Sequence, residues 1–315
     1  MVVPAFSPSR PGPNGKIGMG FIGVGKRALE LIGPFMDSPD VRVVAVCDVD
    51  TRRRENARAI VDKKYGSKDC AAFVDYHELL AHNDVDAVFI GTPDHWHAAQ
   101  IIDAAKLKKD IYSEKPLTLK LRECQLVIEA VRKYDVVCQT GSQQRTEYNQ
   151  QFVKACEYVR SGRIGALQTV HVGVPFSSKA CDLPEEAMEP GLDWDRWLGP
   201  APMRAYNSVL SPRGVHTHYP KWREYWEYSG GGMTDFGAHN FDIAQWGMGM
   251  DTSGPVRVTP PKDEKSMHGA TLTYANGVEV IHAAKYLEPR SGGGEHDDAR
   301  SAAEVEALVD LLRPG

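Results

Sequence analysis

Residues 16–29 read KIGMGFIGVGKRAL, and this stretch decides the fold. Residues 17–22 are a short apolar run of strand length, and a helix is expected from 26 to 36. Between them lies Gly23-Val24-Gly25-Lys26-Arg27-Ala28, a G-x-G-x-x-A turn. Gly23 permits the tight turn, Gly25 lets the backbone approach a pyrophosphate, and Ala28 allows helix to pack closely on strand. The first helical turn, with Lys26 and Arg27, offers free N–H groups and a positive dipole end to phosphate. A tight strand–helix turn with no ligand is the alternative. Context favours the ligand, because Asp48 ends the second strand, 25 residues after Gly23. That is where a carboxylate for the ribose hydroxyls belongs. Its charge repels a 2′-phosphate, so NAD is expected over NADP. Arg52 and Arg53 lie near enough to soften that preference.

Outward from the turn, strands and helices alternate as far as residue 139. Strands are expected at 41–47, 87–90, 110–112 and 136–139, and helices at 51–65, 76–82, 95–107 and 119–134. The run at 41–47 is almost continuously β-branched, as suits a strand buried on both faces. This alternation means βαβ units and a parallel sheet, so residues 16–140 read as an α/β Rossmann domain. After Thr140 the rhythm breaks. A helix at 147–161, a strand at 167–174, long loops over 175–222 and an amphipathic helix at 234–246 follow. Strands at 256–258, 270–274 and 278–283 come next, the last two joined by Asn276-Gly277, a type I′ hairpin signal. Residues 141–288 therefore read as a substrate-binding α+β domain around a mostly antiparallel open sheet. Residues 1–15, with four prolines, read as an extended arm. Residues 289–300 read as a polar linker and 302–312 as a closing helix.

Composition narrows the function. A chain of 315 residues with a net charge of −5 has no clustered basic face for nucleic acid. No apolar run approaches the roughly 20 residues that span a bilayer. The six cysteines are scattered without a C-x-x-C pair, as in a cytosolic protein with reduced thiols. No basic segment followed by an apolar stretch marks a secretory signal.

Further chemistry-bearing residues fall on two loops and one helix. The third strong strand ends in Gly91-Thr92-Pro93-Asp94-His95-Trp96-His97, at the sheet edge that lines the ligand crevice of open α/β folds. Thr92, Pro93 and His97 are assigned to cofactor contact. Asp94 reads equally well as a helix N-cap. No third ligand accompanies His95 and His97, so no metal is expected. Glu114-Lys115-Pro116 follows the next strand, which places Glu114 and Lys115 at the same edge. A partly desolvated lysine there can accept or stabilise a hydroxyl proton, although a surface lysine paired with Glu114 is the plainer reading. In SGGGMTDFGAHNFD, residues 229–242, Asp235, His239 and Asp242 are spaced i, i+4, i+7 on one helix face. His239 is a natural proton acceptor near neutral pH. Spacing alone does not separate this reading from a solvated polar face. Gln144 and Arg145, in the loop after the last Rossmann strand, Trp222 and Arg223, ahead of the glycines, and Asp242 are candidate substrate contacts.

Together these residues resemble the Gfo/Idh/MocA oxidoreductases. The matching stretches are GFIGVGKRA, VVAVCDVD, VFIGTPDHWHAA, SEKPLTLK, QTGSQQR and YSGGGMTDFGAHNFDIAQWGMGMD. The EKP lysine and the D-x-x-x-H helix are the specific parts. The resemblance implies a nicotinamide cofactor, NAD or NADP, and a sugar, polyol or glycoside substrate. It implies catalytic roles for Lys115, Asp235 and His239, and substrate and oligomer contacts on the open sheet. Around residues 222–242 the chain looks most like a subgroup that includes NAD-dependent glycoside hydrolases. Three functions are carried forward: a sugar or polyol dehydrogenase, a redox-cycling glycosidase, and a cofactor-binding protein without turnover. Members of the subgroup often bear a twin-arginine export signal, which makes the expected location cytoplasmic as given and periplasmic if such a signal has been removed. Relatives also continue past this chain's end, so a shortened substrate sheet is expected.

Overall fold

The computed structural model describes residues 15–283 except 147, 175, 176, 264 and 267. The arm, the polar linker and the closing helix thus lie outside the described residues. The described residues divide into two units: 15–141 with 178–235, and 142–177 with 236–283. Residues 178–235 group with 15–141 in this division, whereas the sequence reading places them in a domain spanning 141–288. The loops of that segment supply no periodic signal from which a packing partner can be read.

The first unit is built on strands β1 (Ile17–Ile22), β2 (Val41–Cys47), β3 (Ala71–Phe73), β4 (Ala87–Ile90), β5 (Asp110–Glu114) and β6 (Cys138–Gly141). All pairings are parallel, and the order is β3-β2-β1-β4-β5-β6. Helices α1 (Lys26–Asp37), α2 (Thr51–Tyr65), α3 (Tyr76–Ala81), α4 (Asp94–Lys106) and α5 (Leu121–Tyr134) connect them. Strand β3 has three half-buried residues, too short for its pattern to stand out in the sequence. One apolar cluster packs Phe21, Val43, Val46 and Phe89 with Ala28 and Ile32 of α1. A second packs Ile22, Ala45, Val88 and Ile90 with Ile101 of α4 and Val127 of α5. Alternate residues of each strand feed opposite faces, which is why these strands read as continuous apolar runs. Strand order reverses between β1 and β4, so their C-terminal ends open the crevice where ligands bind in this architecture.

Residues 178–235 add a cluster of their own to this unit. Trp194 stacks on Trp197 with centroids 4.6 Å apart, and Tyr206, Leu210, Trp222 and Tyr228 complete the core. Thr51 N donates to Gly191 O at 2.9 Å, joining the segment to the start of α2.

The second unit has a four-stranded sheet in the order β7-β10-β9-β8, from β7 (Thr169–Gly173), β8 (Arg257–Thr259), β9 (Thr271–Thr273) and β10 (Glu279–Ala283). Two of the pairings are antiparallel and β7 pairs with β10 in parallel, so the sheet is mixed. Helices α6 (Gln151–Arg160) and α9 (Gly237–Gly247) belong to it, with Phe241 and Ala244 of α9 and the following Met248 packed on Val172 and Val280. The hairpin at Asn276-Gly277 forms, but only Gly277 has positive φ, at 84°. A type I′ turn needs positive φ at both central residues. Here Gly277 N donates to Tyr274 O at 3.0 Å and Tyr274 N to Val278 O at 3.0 Å. This is a three-residue loop with a left-handed glycine. Among the described residues, no helix is long and apolar enough to cross a membrane.

Candidate active site

The glycine turn has the geometry its sequence requires. Gly23 sits at φ 78°, and a Cβ there would lie 2.7 Å from Thr92 N. Only glycine meets both constraints. Gly25 caps α1 in an extended conformation without a side-chain hydrogen bond, and a Cβ on it would meet nothing within 4 Å. The first turn of α1 is therefore not masked by a side-chain cap, as an anion site demands. Asp48 is buried at the end of β2. Its Oδ2 accepts from Val24 N at 2.9 Å and its Oδ1 from Asp50 N at 2.8 Å. Burial pushes its carboxyl up, opposed by the Arg53 charge and these two N–H groups. A carboxylate oxygen has room for a second donor, such as a ribose hydroxyl.

The two arginines expected to soften the preference against a 2′-phosphate already have partners, although Arg53 also lines the cleft at the glycine turn. Buried Arg53 donates to Gly214 O at 3.0 Å, to Ser211 Oγ at 3.2 Å and to Pro212 O. Arg52 pairs with buried Glu189 at 3.3 Å. Both hold residues 189–214 against α2.

A cleft of about 270 Å³ runs through the first unit, lined by Gly23, Gly25, Lys26, Arg27, Asp48, Thr92 and Pro93. Its opposite wall comes from the segment 178–235, including Trp197, Leu210, Tyr219, Trp222 and Arg223. Tyr219 donates to Glu30 of α1 at 2.8 Å, and Lys26 lies 4.0 Å over its ring. Trp222 and Arg223, assigned from sequence to substrate, thus line the same cleft as the glycine turn. Trp197 and Tyr219 had no sequence signal beyond their aromatic character.

The loop after β4 divides its residues between cleft and scaffold. Thr92 Oγ1 donates to Gln100 Oε1 at 2.7 Å. His97 is 1% exposed, and its ring nitrogens lie 2.6 Å from Pro116 O and 2.8 Å from Thr92 O. It ties the two loops together and does not line the cleft, so its assignment to cofactor contact is corrected to support behind that wall. His95 is equally enclosed, with Nε2 3.1 Å from Trp197 O, and burial pushes it down to about 4. Pro93, not Asp94, occupies the N-cap of α4. The Asp94 carboxylate instead accepts from Ser229 Oγ at 2.6 Å.

Lys115 and Asp235 come together within this unit. Lys115 Nζ donates to Asp235 O at 3.1 Å and also bonds Asp235 Oδ1. Arg223, on the cleft wall, brings Nε to 4.0 Å from Asp235 Oδ2. The Lys115–Pro116 peptide is cis. Glu114 does not pair with Lys115 in the way the plainer reading required. It is buried and accepts from Arg27 Nε at 2.9 Å. The helix expected at 234–246 is divided into α8 (Gly232–Asp235) and α9, with Phe236 between them. Asp235 ends α8 in the first unit, while His239 and Asp242 lie on α9 in the second.

In the second unit, Arg145 and Asp242 are each other's partners. Arg145 Nε and Nη2 meet Asp242 at 2.8 and 2.7 Å, and Nη2 also meets Asp251 at 2.9 Å. The hydrogen bonds to Asp242 hold the guanidinium above its ordinary value. The fork geometry joins both side chains in one pair, so the two candidate substrate contacts do not stand independently of each other. Gln144 Oε1 is buried without a hydrogen bond among the described residues. Among those residues no cluster of three metal-ligating side chains occurs.

A Rossmann sheet with an uncapped glycine turn and an acid at the end of β2 defines a dinucleotide-binding unit. The chain belongs to the Gfo/Idh/MocA oxidoreductase family: residues 17–142 match its NAD-binding Rossmann fold and 174–291 its C-terminal alpha/beta domain. It is 27% identical over 270 residues to the uncharacterized oxidoreductase YrbE of Bacillus subtilis, covering 83% of this chain and 65% of that protein. It is 35% identical over 152 residues to myo-inositol 2-dehydrogenase of Thermotoga maritima, covering 48% and 41%. It is 30% identical over 152 residues to alpha-N-acetylgalactosaminidase of Shewanella oneidensis, covering 47% and 33%. The chain thus spans between one third and two thirds of these relatives' lengths. A similar fold occurs in the WlbA dehydrogenase from Bordetella pertussis, solved with NADH and UDP-GlcNAcA. The TM-score is 0.59 at 21% identity, covering 87% of this chain and 73% of that one.

Proposed function

We propose that this chain is an NAD-dependent oxidoreductase that moves a hydride between a hydroxyl-bearing carbon of a sugar or polyol and the nicotinamide. The observation that carries this is the Lys115–Asp235 pair, half-buried and joined through Arg223 to the cleft of the glycine turn. The cleft residues fit the cofactor: α1 presents its first turn to the pyrophosphate, Asp48 takes the ribose hydroxyls, and Thr92 and Pro93 wall the far end. When bound, nicotinamide supplies the hydride acceptor.

The protein's task is then the hydroxyl proton and the charge it leaves. A lysine ammonium has three donors. Two meet Asp235, and the third stabilises the developing alkoxide of the substrate. An ammonium so engaged is a donor, which leaves the proton itself to another group. Asp235 holds Lys115 in place. With Asp48 at the ribose position and the guanidiniums of Arg52 and Arg53 already paired, NAD is favoured over NADP.

The test is a cofactor-reduction screen against hexoses, inositols and glycosides, followed by Lys115→Ala on the best substrate. Loss of one such stabilising donor lowers kcat by about a hundredfold or more, with NAD affinity by calorimetry nearly unchanged. Unchanged turnover removes Lys115 from the mechanism. The similarity to an alpha-N-acetylgalactosaminidase favours a second reading, glycoside cleavage by oxidation, elimination and re-reduction. Release of nitrophenol from nitrophenyl glycosides, dependent on NAD but without net NADH, distinguishes it.

A further inference from the structure

Asp94 has no place in the mechanism so far, yet its surroundings are those of a site residue. It is 4% exposed, in the first turn of α4, two residues after the Thr92 that walls the cleft. Its partner, Ser229, is fully buried and donates through Oγ at 2.6 Å. Burial pushes the Asp94 carboxyl up to about 7, against the Ser229 hydrogen bond and the charges of Arg223 and Lys115, with Asp235 adding to the rise. The charged groups around Asp94 are therefore the Lys115–Asp235 pair and the arginine beside it.

Ser229 opens the turn that carries Asp235. Ser229 N donates to Tyr225 O at 2.9 Å, and Gly230 N to Thr234 Oγ1 at 3.0 Å. Asp235 N donates to Gly231 O at 2.9 Å, with Gly231 at φ 66°. A Cβ at Gly230 would lie 2.4 Å from Thr234 Cγ2, so the turn is tightly specified. Asp94 and Lys115 leave the C-terminal ends of neighbouring strands, since Ile90 of β4 is in register with Ser113 of β5. The Asp94–Ser229 bond thus ties the turn bearing Asp235 to the same sheet edge that bears Lys115.

We propose that Asp94 is a positioning residue of the active site, which through Ser229 holds the 229–232 turn so that Asp235 meets Lys115. Calling that pair catalytic rests on the dehydrogenase reading; the positioning itself does not. The anchor is a hydrogen bond between two groups withdrawn from water, so its loss leaves a buried polar atom without a partner.

The experiment reads Lys115 directly and needs no substrate. The full chain is treated with limiting trinitrobenzenesulfonate, and modification of each lysine is followed by mass spectrometry. Asp235→Ala sets the rate for Lys115 released from its partner. Ser229→Ala and Asp94→Ala are expected to raise the Lys115 rate toward that value, by about threefold or more, which is under one kcal/mol of weakened pairing. Asp94→Asn keeps an oxygen for the Ser229 hydroxyl and is expected to stay within about twofold of the parent. Lys64 and Lys106, far along α2 and α4, report on general loosening and are expected not to change.

Wild-type Lys115 rates in both Ser229→Ala and Asp94→Ala overturn the proposal. So does a rise shared by Lys64 and Lys106, because that is a softened fold rather than a displaced Asp235. Should Asp94→Ala fail to fold, Ser229→Ala alone decides the outcome. Calorimetric NAD titration of the parent separates the two readings: absent NAD binding refutes the proposed function and leaves the labelling result standing.

Discussion

Replacing Asp94 by Asn should change how the stability of the first unit depends on pH, and the size of the change follows from two adjacent side chains. Asp94 is raised from 3.8 to about 7 by burial, opposed by its Ser229 hydrogen bond. The folded state therefore holds a proton that the unfolded chain releases, and stability falls as pH rises from about 4 to 7. Between pH 5 and 8 this amounts to about 2.5 kcal/mol. His95 is lowered from 6.5 to about 4, again chiefly by burial. Here the unfolded chain binds the extra proton, so this stability is present above 6.5 and is lost as pH falls toward 4. Over the same interval it contributes about 2 kcal/mol of opposite sign. In the parent the two nearly cancel. Asp94→Asn removes the first contribution and leaves the second, so the variant gains about 2.5 kcal/mol relative to the parent between pH 5 and 8. Urea unfolding followed by tryptophan fluorescence is the assay, since Trp96, Trp194, Trp197, Trp222 and Trp226 belong to the first unit and only Trp246 to the second. A stability difference between variant and parent that does not vary with pH refutes the reasoning, because it means that Asp94 does not titrate differently on folding.

Two other substitutions test the cofactor turn and the second unit. Gly23→Ala forces a Cβ into a left-handed residue 2.7 Å from a backbone nitrogen; the conformation alone costs about 1–2 kcal/mol, and NAD affinity by calorimetry should fall by about tenfold or more. Arg145→Met leaves Asp242 and Asp251 without their shared partner, and urea unfolding followed at Trp246 should show a loss of about 2 kcal/mol, reduced from a fully buried pair because the site is part-exposed. Arg145→Lys should recover only part of this, since an ammonium cannot reproduce the fork.

Which parts of the site could be read in advance depended on how local their causes are. The turn at Gly23 to Ala28 and the acid at Asp48 were legible because one strand, one turn and one helix start carry the whole requirement. β1, β2 and β4 were legible to the residue, since strands buried on both faces announce themselves as apolar runs. β3 was missed because three half-buried residues carry no such run. The pairing of β7 with β10 was missed because parallel partners over a hundred residues apart leave no mark on either segment.

By itself the sequence determined the order of elements in the Rossmann unit apart from β3, the cofactor turn, and the candidacy of Lys115 and Asp235, all consequences of short-range periodicity, backbone freedom and side-chain chemistry. Only the tertiary structure decided where side chains from distant segments meet. It turned residues 178–235 back onto the Rossmann unit as the second wall of the cleft. It engaged Arg53 with a loop some 160 residues away, and Arg145 with Asp242. It withdrew His97 into the scaffold and set Asp94 against Ser229. These outcomes depend on which polar groups find partners once water is excluded. A buried donor or acceptor takes whichever partner the packed chain brings within about 3 Å, and one-dimensional spacing does not encode that choice.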